Sequence, residues 1–167
     1  MKIQVGTLSQ GEHTYSFQAP AADIGLGSEF REDVRVNVSL EKTSSEIALT
    51  ARIQTSGAFT CDRCVAPFSL SLSPSYRMYY VWDAAGAQGL DPSEVQVVQP
   101  GLNVIDISDD VRQTILLAVP LKLLCREECR GLCAGCGVNL NTDACRCQAA
   151  ETDPRWDALR MLRTSRH

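Results

Sequence analysis

Eight cysteines constrain this 167-residue chain more than any other feature. They stand at Cys61-x2-Cys64 and, sixty residues later, at Cys125-x3-Cys129-x3-Cys133-x2-Cys136-x8-Cys145-x-Cys147. The first residues, Met1 to Gly6, lack the apolar core of a secretory leader, and no run of about 20 apolar residues could span a membrane. The expectation is a soluble chain in the cytoplasm, where thiol buffers keep cysteines reduced. Reduced cysteines at close, regular spacing point to metal binding.

Zinc takes four thiolates in a tetrahedron, and two cysteines two residues apart on a tight turn can present both sulfurs to one ion. Two sites use all eight. Cys133, Cys136, Cys145 and Cys147 form a local site, with Gly131, Gly135 and Gly137 supplying permissive backbone and Asn139 and Asn141 suited to the connecting turn. Cys61, Cys64, Cys125 and Cys129 form a long-range site that staples the central hairpin to a later segment. Two zinc ions per chain are expected. Tetrathiolate sites also suit iron–sulfur centres, and other groupings of the cysteines from 125 to 136 stay open.

With protein thiolates at all four positions, such a zinc has no place for water and is structural. Each site carries a formal charge of −2, which Arg63, Arg126, Arg130 and Arg146 would offset. A redox role for Cys61-x2-Cys64 is an alternative. Its thioredoxin-like setting, a strand leading through a loop into a helix, is absent, because both flanks read as strands. Cys136→Ser is expected to release only the local site. Cys64→Ser is expected to destabilise the whole body, because it opens a closure of more than sixty residues.

The rest of the chain reads as sheet with one helix. Val34, Val36, Val38 and Leu40 alternate with polar residues, as do Ile47, Leu49, Ala51 and Ile53. Phe68, Leu70 and Leu72 follow the first cysteine pair, and Pro74 marks an edge or bulge before extended sequence from Tyr76 to Trp82. Shorter strands are expected around Ile3, Tyr15, Val95 and Val104, and loops over 19–29 and 83–93. A helix over about 108–119 begins at Ser108-Asp109-Asp110, where Ser can cap and the acids favour the positive end of the dipole; Pro120 ends it. A last short helix starts at Asp153-Pro154, with Trp156, Leu159 and Leu162 as its stripe. The fold expected is α+β: an antiparallel meander, partly open and barrel-like, over residues 1–120, and a zinc-binding extension over 121–167.

No catalytic constellation appears. His13 and His167 adjoin no nucleophile motif, and there is no phosphate loop. The expectation is a non-enzyme with no small-molecule substrate and no membrane. Residues 1–119 hold 8 Lys+Arg against 14 Asp+Glu, and residues 120–167 hold 8 against 6. That is not the strong basic face of a dedicated nucleic-acid binder. Candidate RNA or partner contacts are Arg63, Arg126, Arg130, Arg155, Arg160 and Arg163. The competing reading of the last three is a solvated helix face.

Together, several motifs resemble a known family. They are Thr60-Cys61-Asp62-Arg63-Cys64 with Pro67-Phe68, Asp106 leading into a helix that ends Leu117-Ala118-Val119-Pro120-Leu121-Lys122, and the run Cys125-Arg126-Glu127-Glu128-Cys129-Arg130-Gly131-Leu132-Cys133. Cys136-Gly137-Val138-Asn139-Leu140-Asn141 and Asp153-Pro154-Arg155-Trp156 complete them. The chain, from about residue 30 onward, resembles the YceD family, the large ribosomal RNA subunit accumulation proteins. The resemblance implies a small, non-enzymatic bacterial or plastid factor in ribosome biogenesis. Its partners would be ribosomal RNA or a large-subunit ribosomal protein. A pure protein-interaction adaptor is the other reading, favoured by the acidic body, since ribosomal proteins are typically basic.

Overall fold

A computed structural model describes residues 1–83, 85–99 and 101–147. The two alternating segments become neighbouring strands, β3 (Val34–Lys42) and β4 (Glu46–Thr60), after β1 (Lys2–Gln4) and β2 (Gly11–Ala19). They are followed by β5 (Pro67–Leu72), β6 (Ser75–Val81), β7 (Val95–Val97), β8 (Val104–Asp106) and the helix α1 (Ser108–Ala118). Period-2 alternation turns every second side chain to one face. Val34, Val36, Val38, Leu40, Ile47, Leu49, Ala51 and Ile53 are all at most 2% exposed, while the residues between them on β3 face outward. Each fully buried aliphatic side chain contributes about 1.5–3 kcal/mol, so this face drives folding.

The main sheet has strand order β2-β3-β4-β6-β7. It is open, not barrel-like, and β7 joins β6 in parallel, so the expected all-antiparallel meander is corrected at that edge. A three-residue β7 offers too little pairing to turn the edge back and close a barrel. β1 and β8 form a separate two-stranded pair in which Ile3 faces Ile105. α1 covers the apolar face with Val111 and Ile115, both fully buried. Its start differs from the expectation in one detail. Ile107, not Ser108, occupies the cap position, and the Asp106 carboxylate accepts the Ser108 backbone N–H at 3.1 Å. Val119, extended ahead of Pro120, ends it as the steric rule for residues before proline requires.

Two features escaped the sequence pattern. The expected loop 19–29 contains a 3-10 turn, Ala21–Ile24, that sinks Ala21, Ile24 and Leu26 into the core. β4 also runs on to Thr60. Its first half pairs with β6 and its second half with β5, so β5 and β6 lie end to end along one long strand. The break between them is at Pro74, whose carbonyl accepts the Ile53 N–H at 2.9 Å. Beyond Gln54, β4 no longer pairs with β3. The β4–β5 hairpin therefore projects as an arm, and Cys61 and Cys64 sit at its tip. The proposed helix from Asp153 lies outside the described residues.

Candidate metal centres

The arm's turn has a definite backbone form. Cys61 donates its N–H to Ala66 O at 2.9 Å, and Val65 donates back to Cys61 O at 2.9 Å. Closing this loop puts Val65 at φ 57°, in the left-handed region. The same form recurs in the cysteine-rich segment. Cys133 N–H bonds to Val138 O and Gly137 N–H to Cys133 O, both at 2.8 Å, with Gly137 at φ 72°. Leu132 and Asn139 pair as an isolated antiparallel bridge at its base, as Thr60 and Pro67 do in the arm. Two similar knuckles, seventy-two residues apart in sequence, thus each hold two sulfurs on one side of a turn.

The knuckles differ at the left-handed position. A branched residue there costs about 1–2 kcal/mol, which glycine avoids. Val65 is 62% exposed and gains little from packing. Glycine adds about 0.5–1 kcal/mol of unfolded-chain entropy to be lost. Val65→Gly is therefore expected to stabilise the arm tip by up to about 1 kcal/mol, measured as a raised unfolding midpoint of the metal-loaded protein.

Each knuckle meets a second cysteine pair. The Sγ atoms of Cys61, Cys64, Cys125 and Cys129 all lie within 4.8 Å of one another, as do those of Cys133, Cys136, Cys145 and Cys147. This is the partition expected from spacing. In the first centre Cys61–Cys129 and Cys64–Cys125 are separated by 3.8 and 3.7 Å. In the second, Cys133–Cys145, Cys136–Cys145 and Cys133–Cys147 are separated by 3.2, 3.8 and 4.0 Å. Four sulfurs about 2.3 Å from one zinc stand about 3.8 Å apart, so both sets have the dimensions of a single tetrahedral ion. All eight cysteines are free of disulfide bonds.

The surroundings of the two centres differ. Cys61, Cys64 and Cys129 are at most 5% exposed and form their own small apolar nucleus with Phe68 and Leu124, apart from the main core. In the second centre Cys136, Cys145 and Cys147 are exposed. Ionisation is split within each set. Burial works to raise the Cys61 thiol, but hydrogen bonds from the backbone of Cys125, Cys64 and Arg63 bring it down to about 6. Backbone donation from Cys136, with help from the Cys145 thiol and Gly135, brings Cys133 to about 6. Burial, then the neighbouring thiols, pushes Cys125 up to about 12. The thiols of Cys136, Cys145 and Cys133 push Cys147 up to about 12. Each centre thus combines thiols shifted down with thiols shifted up, and a bound cation favours loss of the proton from all of them.

Polar contacts fix the first centre to the later segment. Asp62 N–H donates to Leu123 O at 2.8 Å, and Leu123 N–H returns to the Asp62 carboxylate at 2.7 Å. Arg63 Nη1 donates to Cys129 O at 2.8 Å and Arg63 O accepts from Leu132 N–H at 3.1 Å. Gly131 is required at this approach, since a Cβ there would meet Arg63 O at 3.0 Å on a backbone already at φ 75°. Arg63 therefore ties knuckle to segment. Arg126 Nη2 donates to Asn141 Oδ1 at 2.7 Å, and Arg130 is exposed. Arg155, Arg160 and Arg163 lie outside the described residues.

Asn141, read from sequence only as a turn residue, links the two centres. Its Oδ1 accepts from Arg130 N–H at 2.8 Å, and its Nδ2 donates to Cys129 Sγ at 3.4 Å and to Asn139 Oδ1 at 2.8 Å. Nothing in the spacing marked it, because the sulfur it meets is twelve residues away across two turns. Outer contacts of this kind typically tune metal affinity by about 10–100-fold. Asn141→Ala is expected to weaken metal retention at the first centre by that factor in chelator competition, with the circular dichroism of the sheet unchanged.

The Cys61–Cys64 pair sits between two antiparallel strands, not at a helix N-terminus of the thioredoxin kind. The motif order, arm cysteines, helix, then paired cysteines, agrees with a family comparison. Residues 49–163 match the family described as large ribosomal RNA subunit accumulation protein YceD. The chain belongs to the YceD family. Among curated relatives, this YceD chain is 25% identical over 182 residues to a maize protein, "Large ribosomal RNA subunit accumulation protein YCED homolog 1, chloroplastic", covering 88% of this chain and 61% of the relative. The Arabidopsis thaliana protein of the same name is 36% identical over 64 residues, 38% of this chain and 20% of that protein. An uncharacterized Mycobacterium bovis protein is 27% identical over 129 residues, covering 74% and 59%. The YceD chain thus spans less than two thirds of the length of these relatives. No solved structure matches it. Among the described residues no helix is long and apolar enough to cross a membrane.

Proposed function

We propose that this chain is a non-enzymatic, zinc-stabilised factor for the accumulation of large-subunit ribosomal RNA, acting by binding that RNA or a large-subunit ribosomal protein. The observation that carries the proposal is the pair of tetrathiolate centres in a member of a family described by that role. One zinc ion closes the segment after α1, which has no helix and little apolar burial of its own up to residue 147, onto the arm of the sheet, and the other closes that segment on itself. Sulfurs all within 4.8 Å of one another suit one ion each. A multi-iron cluster, whose cysteines bind different irons, would hold them further apart. With four protein ligands each, the ions have no open position for substrate.

The test is genetic. Loss of the gene is expected to lower large-subunit RNA relative to small-subunit RNA, and the intact gene to restore the ratio. An unchanged ratio would overturn the proposal. One observation favours the adaptor reading: Leu117 and Leu121, at and just after the end of α1, are 86% and 107% exposed. Large apolar side chains left in water suit a protein partner.

A further inference from the structure

The main sheet has a second face, and it has no apolar side chain at its centre. Register places Gln18, Arg35 and Gln54 in one row across β2, β3 and β4. The next row is Ser16, Asn37, Arg52 and Ser75, and the third is Thr14, Ser39, Thr50 and Arg77. All of these residues are polar, and three are arginines. Each arginine stands one strand and one row beyond the last, so Arg35, Arg52 and Arg77 make a diagonal stripe. Such diagonal neighbours are about 7–8 Å apart. All three are exposed, and among the described residues none pairs with a carboxylate.

Acids border this window: at the β6 edge Glu94 and Asp110 share a cavity of about 320 Å³ with Arg77. Glu12 and Glu41 face each other in the fourth row. Glu32 and Asp33 lie beyond Arg35, where the Asp33 carboxylate accepts from Gln18 Nε2 at 2.8 Å. The surface is concave. A cavity of about 560 Å³ is lined by Thr14, Ser16, Asn37, Ser39, Arg52 and Arg77 among others. Another of about 590 Å³, which Arg35 and Gln54 share, continues past its end. α1 packs on the opposite, apolar face, and no described element covers this one.

Arginine with Ser, Thr, Asn and Gln is the side-chain set that contacts phosphate and sugar in nucleic-acid complexes. The three rows themselves carry no aromatic residue, Tyr79 and Tyr15 standing at their margin, so the window's own chemistry is that of backbone binding. An acidic body whose open sheet face carries three arginines outside any described ion pair would also orient a polyanion to that face. We infer that the open face of the main sheet binds the phosphate backbone of single-stranded RNA across Arg35, Arg52 and Arg77. The inference rests on the ribosomal RNA role proposed above and gives it a surface, distinct from the arginines around the cysteines.

The experiment measures binding of a labelled single-stranded RNA to the zinc-loaded chain across a salt series. Two triple variants are compared: Arg35→Ala/Arg52→Ala/Arg77→Ala, and Lys122→Ala/Arg126→Ala/Arg130→Ala beside the first metal centre. Each phosphate contact on a single strand contributes about 0.7 to the slope of log affinity against log salt. The sheet variant is expected to bind at least about tenfold more weakly, with a slope lower by about 2. The second variant is expected to change little. Unchanged binding by the sheet variant, loss in the second variant alone, or no binding by the unaltered chain would each overturn the inference. If a protein partner uses this face instead, RNA binding is absent while the sheet variant loses that partner. The sheet variant is also placed in the gene-loss background. Full restoration of large-subunit RNA by it would overturn the surface and leave the accumulation role standing. An RNA ratio unaffected by loss of the gene would overturn the role itself.

Discussion

Cys64→Ser is expected to lower bound zinc from two ions per chain to one and to expose the segment after α1 to protease, while the main sheet keeps its fold. Cys64 supplies one of the four sulfurs of the first centre, beside Cys125 at 3.7 Å. A neutral hydroxyl is a poor zinc ligand, and structural zinc contributes about 10–16 kcal/mol to the folding of small sites. Without the ion, a nucleus of three buried cysteines with Phe68 and Leu124 has too little apolar area to hold the segment. Lys122, Arg126 and Arg130 would then become trypsin sites.

The sequence alone suggested that the whole body would suffer. The structure narrows that, because this nucleus is separate from the cluster built on Val36, Leu49 and Ile115. Cys136→Ser removes a ligand of the exposed second centre and should also leave one zinc, but with the arm still protected. Metal analysis and limited proteolysis on both variants check this. Loss of both ions from either variant, or of neither, would contradict two independent centres.

Leu49→Ala is expected to destabilise the chain by about 2–5 kcal/mol, the usual range for truncating a fully buried leucine. Leu49 is 0% exposed, lies between Leu40 and Met78 in the register, and belongs to the strand that α1 contacts. Against a typical total of about 5–15 kcal/mol, that is a large share. For a chain of this size it corresponds to a melting temperature lower by roughly 5–20 °C. Arg52→Ala, three residues along the same strand on the open face, should stay within about 0.5 kcal/mol of the parent. Urea unfolding of both measures the contrast, and the same measurement on the two triple variants checks that they keep their fold. Equal effects would mean the two faces had been assigned wrongly.

The core face of β3 and β4 was legible because burial on one side of a pleated strand writes itself as alternation, and Val34–Leu40 and Ile47–Ile53 carry it unbroken. The partition of the eight cysteines was legible for a similar reason: a two-residue spacer on a tight turn presents two sulfurs at once, and only two such pairs exist. By itself, then, the sequence determined which strand residues are inside and suggested a grouping of the sulfurs, which the fold brings together.

Tertiary structure decided how those parts are placed. Thr55 to Thr60, which carries no clear alternation, becomes strand because β5 lies beside it, and that extension carries Cys61 away from the core. Asn141 meets Cys129 only once the segment folds back. The arginine stripe belongs to three strands whose register is set by pairing, so Arg35, Arg52 and Arg77 look unrelated along the chain. Local pattern reports the environment of each residue, but contacts between distant segments depend on cross-strand hydrogen bonds and metal closure, which no single stretch of sequence contains.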